Sequence, residues 1–235
     1  MKKLTVLLAA ALLFAGATSA LAEIKVEGDV YVGIFEKYLW RGFDLSGGQP
    51  VTQGGMDISF HNLTLSYWTN VQNSTDSGAG LNGGEANETD ITVNYAIPVG
   101  EVATINLGNI YYTLDGLNDT NELYLGASLN TLLSPTVKAY YDWDEFKDDR
   151  FYTLSIGHGI DLGKATLNLG ALASYADGDA SHELWNTELT AGLDIPVTEQ
   201  ILIRPTFLYS APIGDDAKEA IDDETTAGLT VMLTF

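Results

Sequence analysis

The feature that most constrains the fold of this chain is a strict alternation of apolar and polar residues in runs of about ten residues. From Ala165 to Tyr175, one set of alternate positions holds Ala, Leu, Leu, Ala, Ala and Tyr, and the other holds Thr, Asn, Gly, Leu and Ser. From Thr187 to Ile195, Leu, Ala, Leu and Ile alternate with Glu, Thr, Gly and Asp. A period of two belongs to β-strands, and no helical period follows residue 22, so the chain is predicted to be all-β.

The first 22 residues follow a different pattern and are predicted to be a cleaved signal peptide. Met1-Lys2-Lys3 is positively charged, Leu4 to Ala15 is almost wholly apolar, and Ser19 to Ala22 ends in small residues. This order is typical of a secretory leader with cleavage after Ala22, whereas a transmembrane anchor needs a longer apolar run. The mature chain, residues 23–235, is then predicted to be one exported domain.

Charge and cysteine content narrow the function classes. The chain has 11 Lys and Arg against 32 Asp and Glu, and loss of Lys2 and Lys3 with the leader takes the formal net charge from −21 to −23. So acidic a chain repels nucleic acid and attracts cations, and no nucleic-acid partner is expected. The absence of cysteine excludes disulfides and thiol chemistry.

Twelve alternating segments can be placed in the mature chain, the first at 28–42 and the last at 224–235. A soluble sandwich buries its apolar face, whereas a transmembrane barrel turns apolar residues to lipid and small or polar residues to its lumen. Here the polar face is rich in Gly, Thr, Ser and Asn and poor in long charged side chains. The segments also have the roughly 9–11 residues that a tilted strand needs to cross a bilayer. We therefore predict a transmembrane antiparallel β-barrel of 12 strands.

The links between these segments alternate in length. Links after odd-numbered segments are long and acidic, as at 73–87, 177–185 and 211–223, whereas those after even-numbered segments are short and often contain Pro or Gly. Long outer loops and tight periplasmic turns are typical of outer-membrane barrels, and an even strand count places both termini in the periplasm. The predicted location is the outer membrane of a Gram-negative bacterium, in contact with lipid and lipopolysaccharide.

The alternation continues to the last residue. The apolar set of the final segment is predicted to face lipid and consists of Leu229, Val231, Leu233 and Phe235. A terminal aromatic residue on such a strand resembles the assembly signal of bacterial outer-membrane barrels, so the barrel-assembly machinery is a predicted partner through Phe235. The alternative, an edge strand of a soluble sandwich, would leave an unprotected edge.

The same alternation of outward and inward positions assigns the aromatic residues to the lipid face and the charged residues to the lumen face. An interfacial girdle facing lipid is predicted from Tyr38, Trp40, Tyr67, Tyr111, Tyr141, Trp143, Tyr175 and Tyr209. The lumen is predicted to be lined by the acids Asp29, Asp57, Asp90, Glu122, Asp142, Glu188 and Asp194 and the bases Lys37, Arg41, Lys138 and Arg204. Opposite charges on a pore wall either filter ions or pair across the lumen and plug it, and a barrel of this size leaves both alternatives open.

A motif near the mature N-terminus resembles a known family. Tyr38-x-Trp40-Arg41-Gly42 is followed by Gln49-Pro50, Gln53-Gly54-Gly55 and Trp68-Thr69-Asn70-Val71. In this combination the chain resembles the TorF family, exported bacterial proteins that are classed as porins and carry a Tyr-x-Trp-Arg-Gly motif. The family pattern has Ser or Gln where this chain has Phe43-Asp44-Leu45. The resemblance implies an outer-membrane barrel of porin type.

These features predict a porin-like channel for passive diffusion of small hydrophilic solutes, with a cation preference that comes from the acidic lumen and mouth. The alternative is a closed structural or adhesion barrel that acts through its acidic surface loops. No enzyme is predicted, because none of His61, His158 and His182 is followed two residues later by the Ser that a barrel lipase requires. Only His182, beside Glu183 in an acidic segment, could serve a surface protease built from acids and a histidine.

No cofactor is predicted. The acidic segments 142–149 and 215–224 are candidate sites for divalent cations that bridge lipopolysaccharide phosphates, or they form a solvated acidic surface. The segments 142–149 (DWDEFKDD) and 177–183 (DGDASHE) space oxygen atoms loosely like calcium loops, but neither has the central Gly and the twelfth-position Glu of an EF-hand loop.

Overall fold

The alternating runs form β-strands in the computed structural model, which describes residues 26–76, 80–178 and 181–235. The predicted leader therefore lies outside the described residues. The elements are β1 (Glu27–Phe35), β2 (Leu39–Trp40), β3 (Phe43–Asp44), β4 (Val51–Phe60), β5 (Leu63–Gln72), β6 (Ala86–Val99), β7 (Ala103–Leu114), β8 (Thr120–Leu129), β9 (Thr136–Asp142), β10 (Arg150–Asp161), β11 (Thr166–Gly178), β12 (Ser181–Pro196), β13 (Ile201–Pro212), α1 (Asp215–Ala220) and β14 (Glu224–Thr234). Within the described ranges, no helix has the length and hydropathy needed to cross a bilayer.

Twelve strands close into one antiparallel barrel. Each pairs with its neighbours along the chain, except that β1 pairs with β4 on one side and with β14 on the other. The closing seam runs from Asp29 opposite Thr234 to Phe35 opposite Gly228. The prediction of an all-β, twelve-stranded antiparallel barrel is confirmed.

The barrel carries its apolar residues on the outside. In β1, Val30, Val32 and Ile34 are 41%, 52% and 61% exposed, while Asp29 and Tyr31 point to the opposite face. The outward positions of the other strands follow the same rule, with exposed Leu, Val, Ile and Tyr side chains. Exposed apolar side chains in regular alternation indicate a wall that faces lipid rather than water.

The two ends of the barrel differ in their connections. The end that carries both described termini, here called the short-turn rim, has links of two to six residues, such as 61–62 and 130–135. The opposite end, the long-loop rim, carries 36–50, 73–85 and 213–223. The predicted long loop at 177–185 is wrong, because β11 and β12 continue to pair up to Gly178 opposite Ser181.

A small apolar core lies under the long-loop rim. Phe151, Trp185, Ala217 and Ile221 are buried together there, and Phe43 packs against them. Helix α1 is held over this cluster by Glu183, whose carboxylate accepts hydrogen bonds from the amides of residues 215 and 217 at 3.0 and 2.9 Å. An acidic side chain at this position satisfies amides that the helix leaves without a partner.

The predicted first strand, 28–42, is wrong in its second half. Strand β1 ends at Phe35, and the chain folds back on itself as the hairpin β2–β3, with Trp40 paired to Phe43. The two residues between them, Arg41 and Gly42, have φ values of 51° and 87°. Positive φ at both positions is the signature of a two-residue type I′ turn, so the Arg-Gly of the motif forms the tip of a tight hairpin.

The replacement of Gly42 by alanine is expected to loosen this hairpin. A Cβ on Gly42 would collide with Cδ1 of Ile221, in addition to the cost of positive φ, which is about 1 kcal/mol for an L-residue. Gly116→Ala is the matched control, because Gly116 has a φ of +76° but open space around its Cβ position. Trypsin cleavage after Arg41 should be faster in Gly42→Ala than in Gly116→Ala, and equal rates would show that the collision is harmless.

Candidate functional site

The hairpin β2–β3 lies inside the barrel, near the long-loop rim. Tyr38 is 6% exposed, and its ring centroid is 5.4 Å from that of Trp68 on β5. Trp40 meets Tyr112 of β7 edge-on, with centroids 6.3 Å apart, and Phe43 lies 5.7 Å from Trp185 of β12. Because β5 and β12 are on different sides of the lumen, the hairpin crosses it as a constriction.

The placement of Tyr38 and Trp40 in the lipid-facing girdle is therefore wrong. The alternation of β1, continued past Phe35, places both side chains on the lipid face, but the chain leaves the wall after Phe35. Aromatic side chains that turn inward bury their rings against one another, and this removes more apolar area from water than a partly wet position at an interface.

Arg41 fixes the hairpin to the opposite wall. Its Nη1 and Nη2 atoms donate to the two carboxylate oxygens of Glu122 on β8 at 2.9 and 2.8 Å. The guanidinium also lies 4.3 Å from the ring centroids of Trp40 and Phe151. Glu122 accepts a further hydrogen bond from the hydroxyl of Tyr112 at 2.9 Å, so the carboxylate has partners on both oxygens. A bidentate, partly buried pair of this kind is geometrically specific and strong.

The base of the hairpin is tied to the seam of the barrel. Lys37 Nζ donates to Glu224 on β14 at 2.6 Å, and this hydrogen bond raises the pKa of the Lys37 ammonium, which lies outside the strands. The amide of Tyr38 donates to Ser46 Oγ at 3.0 Å, and the side chain of Gln72 donates to the Ser46 carbonyl at 3.0 Å. With Arg41 at the tip, the segment is held at both ends.

The structure brings the predicted lumen residues of the wall onto inward positions. They have the parity opposite to the exposed apolar residues of their strands and comprise Asp29, Asp57, Asp90, Glu122, Asp142, Glu188, Asp194, Lys138 and Arg204. Lys37 and Arg41 also lie in the lumen, but on the inward-folded segment rather than on β1. Arg204 donates from Nε and Nη2 to Asp194, the second contact at 3.0 Å, and Thr120 donates to Asp142 at 2.6 Å.

Glu88 is a lumen acid that the sequence analysis missed. It is 6% exposed and hydrogen-bonded to the side chain of Tyr38. Glu88 is the first residue of the predicted sixth segment, which follows the link 73–87, and it has the same parity as Asp90. Carrying the alternation back by one step from Asp90 within that segment would have found it.

The other girdle residues lie on the outer face near the long-loop rim. Tyr67, Tyr111, Trp143 and Tyr175 are exposed, and Tyr141 and Tyr209 are half-buried. Three of the tyrosines donate to an aspartate of an adjacent loop: Tyr111 to Asp119 at 2.5 Å, Tyr141 to Asp148 at 3.0 Å and Tyr209 to Asp223 at 3.2 Å. A ring with an apolar body and a bonded hydroxyl suits a membrane interface, and the girdle role stays a prediction for these residues.

The end of the chain completes the seam. Leu229, Val231, Leu233 and Phe235 are all exposed on the outer face, and Phe235 exchanges backbone hydrogen bonds with Gly28 at 2.9 and 3.0 Å. Its recognition by the assembly machinery stays a prediction.

Among the described residues, no three His, Asp or Glu side chains converge as a metal site would require. The binding of divalent cations at the acidic loops also stays a prediction.

Cavities lie on both sides of the hairpin. On the long-loop side, a space of about 460 Å³ is bounded by Trp40, Arg41 and the loop residue Phe146. On the other side, about 300 Å³ lies beside Lys37, Tyr38 and the inner face of β12 and β13. The short-turn rim opens onto about 730 Å³ bordered by Asp29 and Asp57. The hairpin thus separates two cavities, of about 460 and 300 Å³, within one lumen.

Comparison with known proteins relates this geometry to solved structures. No protein-family model matches the sequence, and no curated protein matches it at a significant level. The fold is similar to the NanC porin (TM-score 0.59, 15% identity, 88% of this chain and 98% of that chain) and to the KdgM porin in complex with disordered oligogalacturonate (TM-score 0.57, 14% identity, 89% and 99%). It is also similar to the COG4313 outer membrane channel from Pseudomonas putida F1 (TM-score 0.51, 11% identity, 94% and 98%). The chain therefore has the fold of porin-type outer-membrane barrels, while membership of the TorF family stays a prediction.

Proposed function

We propose that this protein is an outer-membrane channel for passive diffusion of small hydrophilic solutes and that it prefers cations. The observation that carries the proposal is the lumen itself, a barrel interior lined by carboxylates in excess over bases and narrowed by one hairpin. The similarity to the folds of NanC, KdgM and the COG4313 channel supports a channel rather than a solid barrel.

The cation preference follows from the charges on the wall and the constriction. Seven predicted acids face four predicted bases, and the structure adds Glu88 and Glu224 to the acidic side. Fixed charges of one sign in a narrow aqueous pore raise the local concentration of the opposite ion. The KdgM porin was solved with oligogalacturonate, a polyanion, and the net negative lumen of this chain opposes such a solute.

A second function, a closed structural or adhesion barrel acting through its acidic loops, is favoured by a specific observation. The hairpin is fixed at its base by Lys37 and at its tip by Arg41, and it packs on Trp68 and Trp185. A segment held this firmly would block solutes larger than water if it never moved.

Planar-bilayer recording of the purified protein separates the two functions. A channel should give stepwise conductance, and under a KCl gradient the reversal potential should have the sign for cation permeation. An anion-selective channel would contradict the cation preference, and a silent protein that also fails to swell liposomes in small sugars would favour the closed barrel.

We also propose that the protein is located in the outer membrane, because this location follows from the proposed channel function. Export by the leader, insertion in the outer membrane of a Gram-negative bacterium and contact with lipopolysaccharide all follow if the barrel is a porin-type channel. Fractionation of the native host should recover the mature protein in the outer-membrane fraction, and recovery from the soluble periplasm would contradict it.

A further inference from the structure

The cavity of about 460 Å³ between the hairpin and the long loops, here called the vestibule, has walls of unusual composition. Six aromatic residues line it: Trp40, Phe43, Tyr112, Phe146, Phe151 and Trp185. Its volume is within the range of roughly 300–1,000 Å³ that small-molecule sites occupy in proteins. The vestibule is therefore large enough for a small organic molecule and too small for a polymer.

The charge of the vestibule is negative. Its lining contains five carboxylates and two guanidinium groups: Glu88, Glu122, Asp142, Asp149 and Asp177 with Arg41 and Arg150. Both guanidinium groups are already engaged, Arg41 by Glu122 at 2.8 Å and Arg150 by Asp177 at 3.5 Å. An anion entering the vestibule would meet the remaining acids without a free base, whereas a cation would be attracted.

The aromatic walls already hold one cation. The guanidinium of Arg41 is placed 4.3 Å from the centroids of Trp40 and Phe151, which is cation–π geometry. Phe146, on the 143–149 loop, also lines the vestibule and is 49% exposed, so its ring is available to a ligand.

One polar atom of the lining is unsatisfied. Ser181 is 7% exposed, and within the described parts of the chain its Oγ has no hydrogen-bond partner. Buried hydroxyls in folded proteins are normally paired. An unpaired hydroxyl on the wall of an aromatic, acidic cavity is independent support for a ligand that brings a polar group.

We propose that the vestibule is a binding site for small organic cations with an apolar or aromatic body, such as aryl amines and quaternary ammonium compounds. The ammonium group would lie among the carboxylates, and the apolar body would pack between Phe146 and the aromatic floor formed by the hairpin. The choice of organic cations as the solute class rests on the proposed function as a cation-preferring channel. Binding to the vestibule, however, can be measured in a protein that transports nothing.

Binding is tested with benzyltrimethylammonium as the probe on the detergent-purified full barrel, by titration calorimetry. Saturable binding is expected for this cation, with no saturable binding of benzenesulfonate, benzyl alcohol or maltotriose. Phe146→Ala should weaken binding about fivefold, the size of one cation–π and packing contact. Leu162→Ala, which truncates an exposed apolar residue at the short-turn rim, is the matched control and should bind as the wild type does.

The outcomes separate this inference from the proposed function. Equal binding of the cation and its neutral or anionic counterparts, or tight binding of maltotriose alone, would overturn the vestibule as a cation site. Cation-selective conductance without benzyltrimethylammonium binding would leave the channel standing and remove the site. Saturable binding that is weakened about fivefold in Phe146→Ala, in a protein that conducts nothing, would support the site and contradict the channel.

Discussion

Replacing Arg41 with glutamine is expected to raise single-channel conductance several-fold. The change removes both contacts to Glu122 at 2.9 and 2.8 Å and leaves that carboxylate, whose side chain is 7% exposed, without its counter-charge. Breaking one partner of a buried ion pair costs about 3 kcal/mol, which corresponds to a roughly hundredfold larger population of the displaced hairpin. Strand pairing involves none of these atoms, so barrel assembly should persist, as a heat-modifiable band on gels would show.

The control for Arg41→Gln is a substitution of its ion-pair partner, Glu122. Glu122→Gln should also raise the conductance. The conductance increase in the double variant should be smaller than the sum of the two single increases, because neither side is then left charged and unpaired.

Trp40→Asp is a second probe of the hairpin. It should release the hairpin rather than block membrane insertion, since Trp40 faces Tyr112 and not lipid. Unchanged conductance in all of these variants would mean that the hairpin does not limit the pore.

Neutralising Asp29 and Asp57 together is expected to reduce the cation preference sharply. The two residues lie directly opposite each other on β1 and β4, at the lumen end near the short-turn rim. A unit charge about 10 Å from a permeating ion contributes about 0.4 kcal/mol in water and acts with opposite sign on a cation and an anion. Removing two such charges should therefore lower the cation-to-anion permeability ratio roughly fifteenfold at low salt, where screening is weak. Stability should not fall, because two like charges in register repel each other.

The reversal potential in a KCl gradient measures this change. Glu101→Gln with Glu199→Gln is the matched control, since both residues are exposed in turns of the same rim and the change in net charge is equal. The control should leave the ratio nearly unchanged at ordinary salt, where the Debye length is about 10 Å or less. A control effect as large as that of the lumen pair would place the selectivity filter at the mouth instead of in the wall.

The faces on which most barrel-wall residues lie could be predicted from sequence, because successive residues of a strand point to opposite faces of the sheet. The outward set of β14, from Leu229 to Phe235, and the inward acids Asp29 and Asp194 occupy the predicted faces. Twist and closure change the directions of strands but not the alternation along each one. Local pattern was therefore sufficient for the wall.

The prediction of a long loop was wrong because the alternation is interrupted there. The segment 177–185 is polar enough to suggest a loop, yet β11 and β12 stay paired as far as Gly178 opposite Ser181, with His182 opposite Asp177 and a bulge after Ala173. A bulge shifts the phase by one residue and so hides the continuation of the strand from a period-two pattern. This shift also turns Trp185 inward to the lumen, where it packs on Phe43.

The sequence alone determined the barrel, its strand number, its inside-out polarity and the excess of acid in its lumen, because each of these depends on alternation or composition. The path of residues 36–50 was decided only by the tertiary structure. The motif Tyr38-x-Trp40-Arg41-Gly42 is compatible with a lipid-facing strand end, and what turns it inward is distant: Trp68, Glu122 and Trp185 offer rings and a carboxylate that meet only when the barrel closes. A bidentate partner 81 residues away along the chain cannot be read from local pattern, and it makes Arg41 the fixed point of the constriction.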